Sequence, residues 1–464
     1  MMMSSGMQSI PESGEFDYGL SSTSEVLLTS EAGARLDAVD NLEFYREQTG
    51  SATLIRVRPD RIRQRLLGIG TSFTESSAFV LAHLEPERRR EVMRNIFGED
   101  GANFSLARTP IGSTDFSVEG RYSYAPIADD AELRHFSIAA DSDGFSRDAY
   151  PGVRDECFDL LPMIREAIDI KQQQQDETLR IIASAWTAPD WMKDIEDWYL
   201  PGTGGSLKPE HARTYAQYLV RYLEAYRNEN VAIWGLTPVN EPLGNSGQWE
   251  SMHFTAESQR DFIRDHLGPA LVDSGNEGVS LLMLDHSRAH LEEWADLIYS
   301  DPDTARYVDG AAVHWYESSF KVYEDVFERV HRKYPEFSIV HTEGCIDDLG
   351  KPAPPGVRDP AGYQESGWFG NDAFWWNENA SDWAYSVTWE GVNAEDHPLY
   401  TPVHRYARNI IVSLNHWVSG WLDGNIVLDE RGGPYHVGNF CGAPIMIDTR
   451  AGDVYYTPVF HVLA

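Results

Sequence analysis

The sequence predicts an α/β chain folded as a (β/α)8 TIM barrel with a small β-rich side domain. Three observations carry that expectation. Eight short apolar segments recur along the chain, and amphipathic stretches with apolar residues three and four apart lie between them. The N-terminal stretch instead alternates apolar and polar positions. Alternating strands and helices imply a parallel sheet, and eight such units close most simply into a barrel.

In chain order, residues 1–62 hold the N-terminal segment and strands of the side domain, read at Ser24–Thr29 and Thr53–Val57 from their period-2 alternation. Residues 63–440 hold the catalytic barrel. Its strands fall at Leu66–Ile69, Phe104–Ala107, Leu179–Ala183, Ile233–Thr237, Ser280–Leu284, Gly310–Val313, Ser338–His341 and Val418–Leu422. Helical periodicity marks Glu87–Phe97, Ala212–Arg227, Ser258–Leu271, Leu291–Tyr299 and Tyr323–Tyr334. Residues 441–464 read as a return toward the side domain. Long insertions rich in Trp, Tyr, Gly and Asp follow the second strand (Gly112–Tyr150) and the seventh (Gly344–Tyr400). Both leave the C-terminal ends of their strands, the side of a barrel that carries the active site, and so should wall a cleft.

Composition narrows the function classes. With 42% hydrophobic and 12% aromatic residues among 464, the chain can fill a large core. Its 73 acidic against 38 basic residues, a formal net charge of −35, repel nucleic acid and anionic membranes. Only six of those basic residues are Lys, a balance read equally as adaptation to salt or as ordinary solubility. Three Cys without a C-x-x-C pair argue against a disulfide framework or a zinc ribbon. No apolar stretch reaches the ~18 residues of a membrane span. The first residues lack a basic and an apolar region, so a cytoplasmic location is expected as written, or a secreted one if the true start lies upstream.

Two carboxylates carry the chemistry. Strand four runs into Thr237-Pro-Val-Asn240-Glu241-Pro242 and strand seven into His341-Thr-Glu343-Gly344. One Glu at a strand end usually forms a salt bridge or caps a helix. Two on strands opposed across a barrel mouth can face one another over a ligand, as glycoside hydrolysis requires. One of the pair is then the general acid/base and the other the nucleophile. The Asn240 amide can bond a sugar 2-hydroxyl, and Pro242 biases Glu241 toward extended backbone. No His/Cys/carboxylate cluster has metal-ligand spacing, so neither metal nor cofactor is expected.

The chain resembles glycoside hydrolase family 30, the family of glucosylceramidases, β-1,6-glucanases and β-xylosidases. The likeness runs from about Leu66 to the last residue. Its motifs stand as Gly68-Ile-Gly-Thr-Ser-Phe-Thr-Glu-Ser-Ser-Ala78, Arg108-Thr-Pro-Ile-Gly-Ser-Thr-Asp-Phe-Ser117 and Ala183-Ser-Ala-Trp-Thr-Ala-Pro-Asp-Trp-Met-Lys193. Further on come Thr237–Pro242, Val313-His-Trp-Tyr316, Thr342-Glu-Gly-Cys345 and Asn425–Pro434. The resemblance implies that Glu241 is the general acid/base and Glu343 the nucleophile, that Asp115 and Trp186 hold the nonreducing sugar, that Asn240 sits beside the acid/base, and that the Tyr316 hydroxyl orients the nucleophile. His314 shares the face of Tyr316, and Asn439 matches a polar residue of the cleft rim. A carbohydrate or glycoconjugate substrate is implied, a β-glucoside or glucosylceramide first, with a β-1,6-glucan or β-xyloside as the alternative.

Two departures from the family stand out. Gly424 replaces a Trp that lines the sugar site, which widens the site or leaves room for another ring, from Trp375, Trp376, Trp383 or Trp389. The family's barrel is normally followed by further β-strands, and here the sequence reaches Tyr456–Ala464 where they would begin. An incomplete side domain with exposed apolar edge strands is therefore expected. Of the rival functions, an inactive carbohydrate-binding homologue would keep affinity without turnover. An aldolase-like barrel would want a strand-end Lys, and none of the six Lys lies there.

Overall fold

The computed structural model of the chain describes residues 23–43, 55–58, 60–174, 178–195, 202–244, 247, 249–349, 369–377, 400–438 and 440–464. Two compact units make it up, Met1–Ile62 and Arg63–Ala464.

In the first unit, Thr23–Leu28 pairs antiparallel with Asp37–Glu43. The first strand lies where alternation put it. The second does not: Ile55–Val57 form no strand, and Thr53 lies outside the described residues. Asp37–Glu43 pairs although Asp and Asn are poor strand formers, because cross-strand contacts outweigh a weak intrinsic preference. The apolar side chains of this hairpin, Leu27, Leu28, Val39 and Leu42, are exposed.

The second unit is a closed barrel of eight parallel strands. They are β1 Gly68–Ser72, β2 Leu106–Pro110, β3 Arg180–Ser184, β4 Gly235–Thr237, β5 Ser280–Ser287, β6 Gly310–His314, β7 Ser338–Glu343 and β8 Val418–Asp423. They neighbour one another in chain order, with β8 closing on β1. All eight overlap the apolar runs, because strands buried on both faces read as unbroken hydrophobic stretches. Leu106, Ile182, Leu282, Ala312, Val340 and Leu422 form an apolar layer of packing in the interior, drawn from six of the strands. Closure is tight at β1. A Cβ on Gly70 would lie 1.7 Å from the Leu106 carbonyl oxygen, so only glycine permits that pairing.

Helices return along the outside. Pro86–Phe97, Ala212–Asn228, Leu291–Tyr299 and Glu324–Lys333 match the periodic stretches to within a residue or so. The stretch at Ser258–Leu271 is helical from Ala256 to Asp273 but carries a π-turn at Ile263–Leu267. Among the described residues, no helix is long and apolar enough to cross a membrane.

Ile445–Ile447 is fully buried in a three-stranded sheet with Val427–Asp429 and Val454–Tyr456. Thr457 then leads into a helix, Pro458–Leu463, whose Val459, Phe460 and Leu463 are buried against the helix Pro402–Asn415. The buried apolar residues of this segment join the main hydrophobic core.

Candidate active site

Side chains two residues apart on a strand share a face. Above the apolar layer, the same strands therefore point Arg108, Ser184, His314 and Thr342 into the barrel mouth, all fully or almost fully buried. Asp285 joins them by another route. In the pairing of β5 with β6, Leu284 stands opposite Ala312 and His286 opposite Val313, leaving Asp285 as an extra residue. Leu284 and Asp285 both take positive φ, 72° and 60°. This β-bulge turns Asp285 inward, against the phase of its strand.

Asp285 is the hub of the mouth. Its Oδ2 accepts from Arg108 Nη2 (2.8 Å), Ser184 Oγ (2.9 Å) and Thr237 Oγ1 (2.7 Å). Its Oδ1 accepts from Thr342 Oγ1 (2.8 Å) and His314 Nε2 (2.9 Å). Burial would push this carboxyl up, but the Arg108 charge and these bonds hold it far below the carboxylate range. A charge this buried is tolerable only because it is paired and fully hydrogen-bonded.

Arg108 spreads its guanidinium over the whole constellation. It donates to Glu343 Oε2, to Asn240 Oδ1 (2.7 Å) and to Ser184 Oγ (3.1 Å), and lies 4.7 Å from the Trp186 ring centre. Glu343, the last residue of β7, also accepts from Tyr316 Oη at 3.0 Å. The nucleophile candidate is thereby oriented through both oxygens.

Glu241 faces it. Its Oε1 lies 3.1 Å from His314 Nδ1, and its backbone N–H donates to the Asp285 carbonyl at 2.9 Å. Its backbone is not extended as the following proline suggested: φ is 46°, in the left-handed region. That conformation costs of order 1–3 kcal/mol in a non-glycine residue and persists only where its surroundings impose it. One ligand-type atom from each of Glu241, His314 and Glu343 lies within 4.8 Å of the others. Both His314 nitrogens are already engaged, so the trio is arranged for proton handling rather than as a cradle for a cation.

Burial pulls His314 down, but the Glu343 charge and the bonds to Asp285 and Glu241 raise it to about 10. Burial pushes Glu241 up, but the bond from His314 and its charge bring the carboxyl below its usual range. The two directions describe one shared proton. Ionised Asp285 keeps a proton on Nε2, so Nδ1 either donates to the Glu241 carboxylate or accepts from the Glu241 carboxylic acid.

Asp115, Trp186, Tyr316 and Glu343 line a single cavity with Phe116, Cys345 and Gly424. Asp115 Oδ1 is buried with no hydrogen-bond partner among the described residues. Burial, then the Glu343 charge, raise Asp115 to about 7. Asn240 offers its amide N–H groups, since its oxygen is taken by Arg108. At Gly424, a Cβ would meet Cys345 Cβ at 3.4 Å and Glu343 Cγ at 3.6 Å. The space left by the family's Trp is faced by the Cys345 thiol. Trp375 and Trp376 pack instead beside Phe374 and His404, while Trp383, Trp389 and Asn439 lie outside the described residues. Sequence reading assigned no role to Arg108 or Asp285. A signal was present in each: a charge inside a buried strand needs a partner in the interior.

Comparisons with known proteins bear on the family and the fold. The glycosyl hydrolase family 30 TIM-barrel domain matches residues 66–352 and 387–464. Putative glucosylceramidase 3 of Caenorhabditis elegans is 32% identical over 409 residues, 86% of this chain and 66% of that protein. Lysosomal acid glucosylceramidase of Mus musculus is 29% identical, over 90% of this chain and 70% of its own. Endo-1,6-beta-D-glucanase of Neurospora crassa is 27% identical over 64% of this chain and 56% of its own. Among solved structures, SrfJ from Salmonella typhimurium superposes with a TM-score of 0.72 at 23% identity, covering 93% of this chain and 81% of its own.

Proposed function

The chain belongs to glycosyl hydrolase family 30, and from that premise we propose that it is a retaining β-glycosidase working by double displacement. The observation that carries this reading is the approach of the Glu241 and Glu343 carboxylate oxygens to within 4.8 Å. Direct attack on an anomeric carbon wants carboxyl groups ~5–5.5 Å apart, whereas inversion needs ~6.5–9.5 Å to admit a water. Glu343, oriented by Arg108 and Tyr316, attacks the sugar. Glu241 protonates the leaving oxygen with the proton it shares with His314. The glycosyl ester removes the Glu343 charge, one of the groups that favour protonation of the pair. Glu241 then serves as the base that activates water.

The substrate we propose is a β-glucoside or glucosylceramide-type glycoconjugate, as the names of the more similar relatives suggest. Asp115, with its unpartnered oxygen, and the Trp186 ring are the groups to hold the sugar. Gly424 supports a second reading, a β-1,6-glucan, because the site lacks the wall that the family's Trp supplies.

The test is chemical rescue. Glu343→Ala should lose more than about 10³-fold in turnover of an aryl β-glucoside, as expected when a nucleophile is deleted. Azide should restore activity and give an α-glycosyl azide. The wild type should release a β-configured sugar first. Wild-type-like turnover by Glu343→Ala, or α-sugar as the first product, sinks the mechanism. Ligand binding without any wild-type turnover would mark an inactive binding homologue.

A further inference from the structure

Outside the acid/base machinery, one buried carboxylate ties three loops of the barrel mouth together. Glu250 lies in the loop after β4, with its side chain fully buried. Its Oε1 accepts from Ser113 Oγ (2.8 Å) and from the Arg121 backbone N–H (2.6 Å), both in the loop after β2. Its Oε2 accepts from His436 Nε2 at 3.0 Å, in the segment that follows β8. The same His436 nitrogen lies 3.0 Å from the Thr114 carbonyl, the residue before Asp115. Gly120, at φ +72°, lies flat against the imidazole, and a Cβ there would come within 2.5 Å of Nε2. The loop that presents Asp115 is thus gripped at Ser113, Thr114 and Arg121 by one ion pair that touches none of the reacting groups.

We propose that Glu250 and His436 are positioning residues. Their ion pair sets how tightly the site holds the nonreducing sugar through Asp115 and leaves the bond-breaking step to Glu241 and Glu343. This rests on the glycosidase reading and adds to it a determinant of affinity separate from turnover. Physical chemistry fixes the direction of control. A charge-assisted bond is roughly twice as strong as its neutral counterpart. Burial lowers the His436 pKa, but Glu250 and then Asp115 raise it above its ordinary value, against the opposing charge of Arg121. Burial raises Glu250, and the bond from His436 brings it down. Glu250 also feels the Asp115 carboxyl and Lys193, whose Nζ is spent on the Gly204 and Ser251 carbonyls. The clamp is therefore fully charged at mildly acidic pH. It loses its cation as pH rises through the raised His436 value.

His436→Gln keeps an N–H donor and removes the charge. On an aryl β-glucoside, this variant should keep kcat within about twofold while KM rises about fivefold at pH 5.5. Wild-type KM should climb toward the variant's value by pH 9, while the variant keeps only the shallower pH dependence that Asp115, raised to about 7, gives the sugar site. Glu250→Gln, provided its thermal midpoint shows that it folds, should reproduce the KM effect. An independent arm measures isofagomine binding by Trp fluorescence. It reads the sugar site even if the wild type turns nothing over, so failure of the glycosidase reading and failure of the clamp are told apart. The proposal is overturned if His436→Gln keeps the wild-type pH profile of KM or of isofagomine affinity, or if kcat falls in step with KM.

Discussion

At the scale of the residue, His314 has the most specific task. It is fully buried between an ionised Asp285 and the proposed acid/base Glu241. On the proposed mechanism, its imidazole both fixes the Glu241 carboxyl and stores the proton that Glu241 must deliver. A leaving group that departs easily needs no proton, and one that departs poorly needs it most. His314→Gln should therefore slow hydrolysis of an alkyl or sugar glycoside by about 10²-fold. It should leave a dinitrophenyl glycoside nearly unaffected in the first, glycosyl-transfer step, measured as a pre-steady-state burst. Equal losses on both substrates would reduce His314 to a structural group. Glu241, Glu343 and Asn240 were legible from the sequence because each ends or follows a recognisable apolar strand. Trp186, Asp115 and Tyr316 were legible through their motifs. Arg108 and Asp285 were not, since a side chain's charge says nothing of which partner the barrel will bring to it.

At the scale of the element, the bulge in β5 explains the harder omission. Strand phase puts Leu282 and Leu284 on one face, and nothing in Leu-Leu-Met-Leu-Asp announces that a positive φ at two successive residues re-aims the Asp. The eight strands themselves were legible because each is buried on both faces. The Asp37–Glu43 strand, exposed throughout, carries no such run. The bulge also permits a clean experiment. Asn tolerates left-handed backbone, so Asp285→Asn keeps the shape and removes only the charge. Arg108 and His314 then lose the one anion they share, and an amide group is thrust among five donors. Breaking a buried ion pair from one side costs on the order of 3–5 kcal/mol. A denaturant midpoint shifted by that order, with turnover nearly abolished, is the expected outcome. A variant as stable as the wild type would mean that Asp285 is not the hub.

At the scale of the whole molecule, the same logic of burial sets a pH at which the fold is strongest. Burial raises Glu75, Asp115 and Asp141 to about 7, Asp159 to about 6 and Asp423 to about 8. Folded values above the unfolded ones mean that the folded state binds the extra protons. These groups contribute in full below about pH 4, and that stability drains as pH rises through 6 to 8. His314 acts in the same sense between its ordinary value and about 10. Asp285, Glu241 and Glu250 lie below their ordinary values, so what they contribute is lost only as pH falls toward those depressed values. The thermal midpoint should therefore peak near about pH 5 and fall by several degrees by about pH 8.5. Repulsion among the surface charges behind the net −35 would produce a similar decline, and salt separates the two. At ~1 M NaCl the Debye length is ~3 Å, enough to silence exposed charges but not buried ones. The decline between pH 5 and 8.5 should persist in high salt. A profile that goes flat there would assign it to the surface and remove the buried carboxyls from the account.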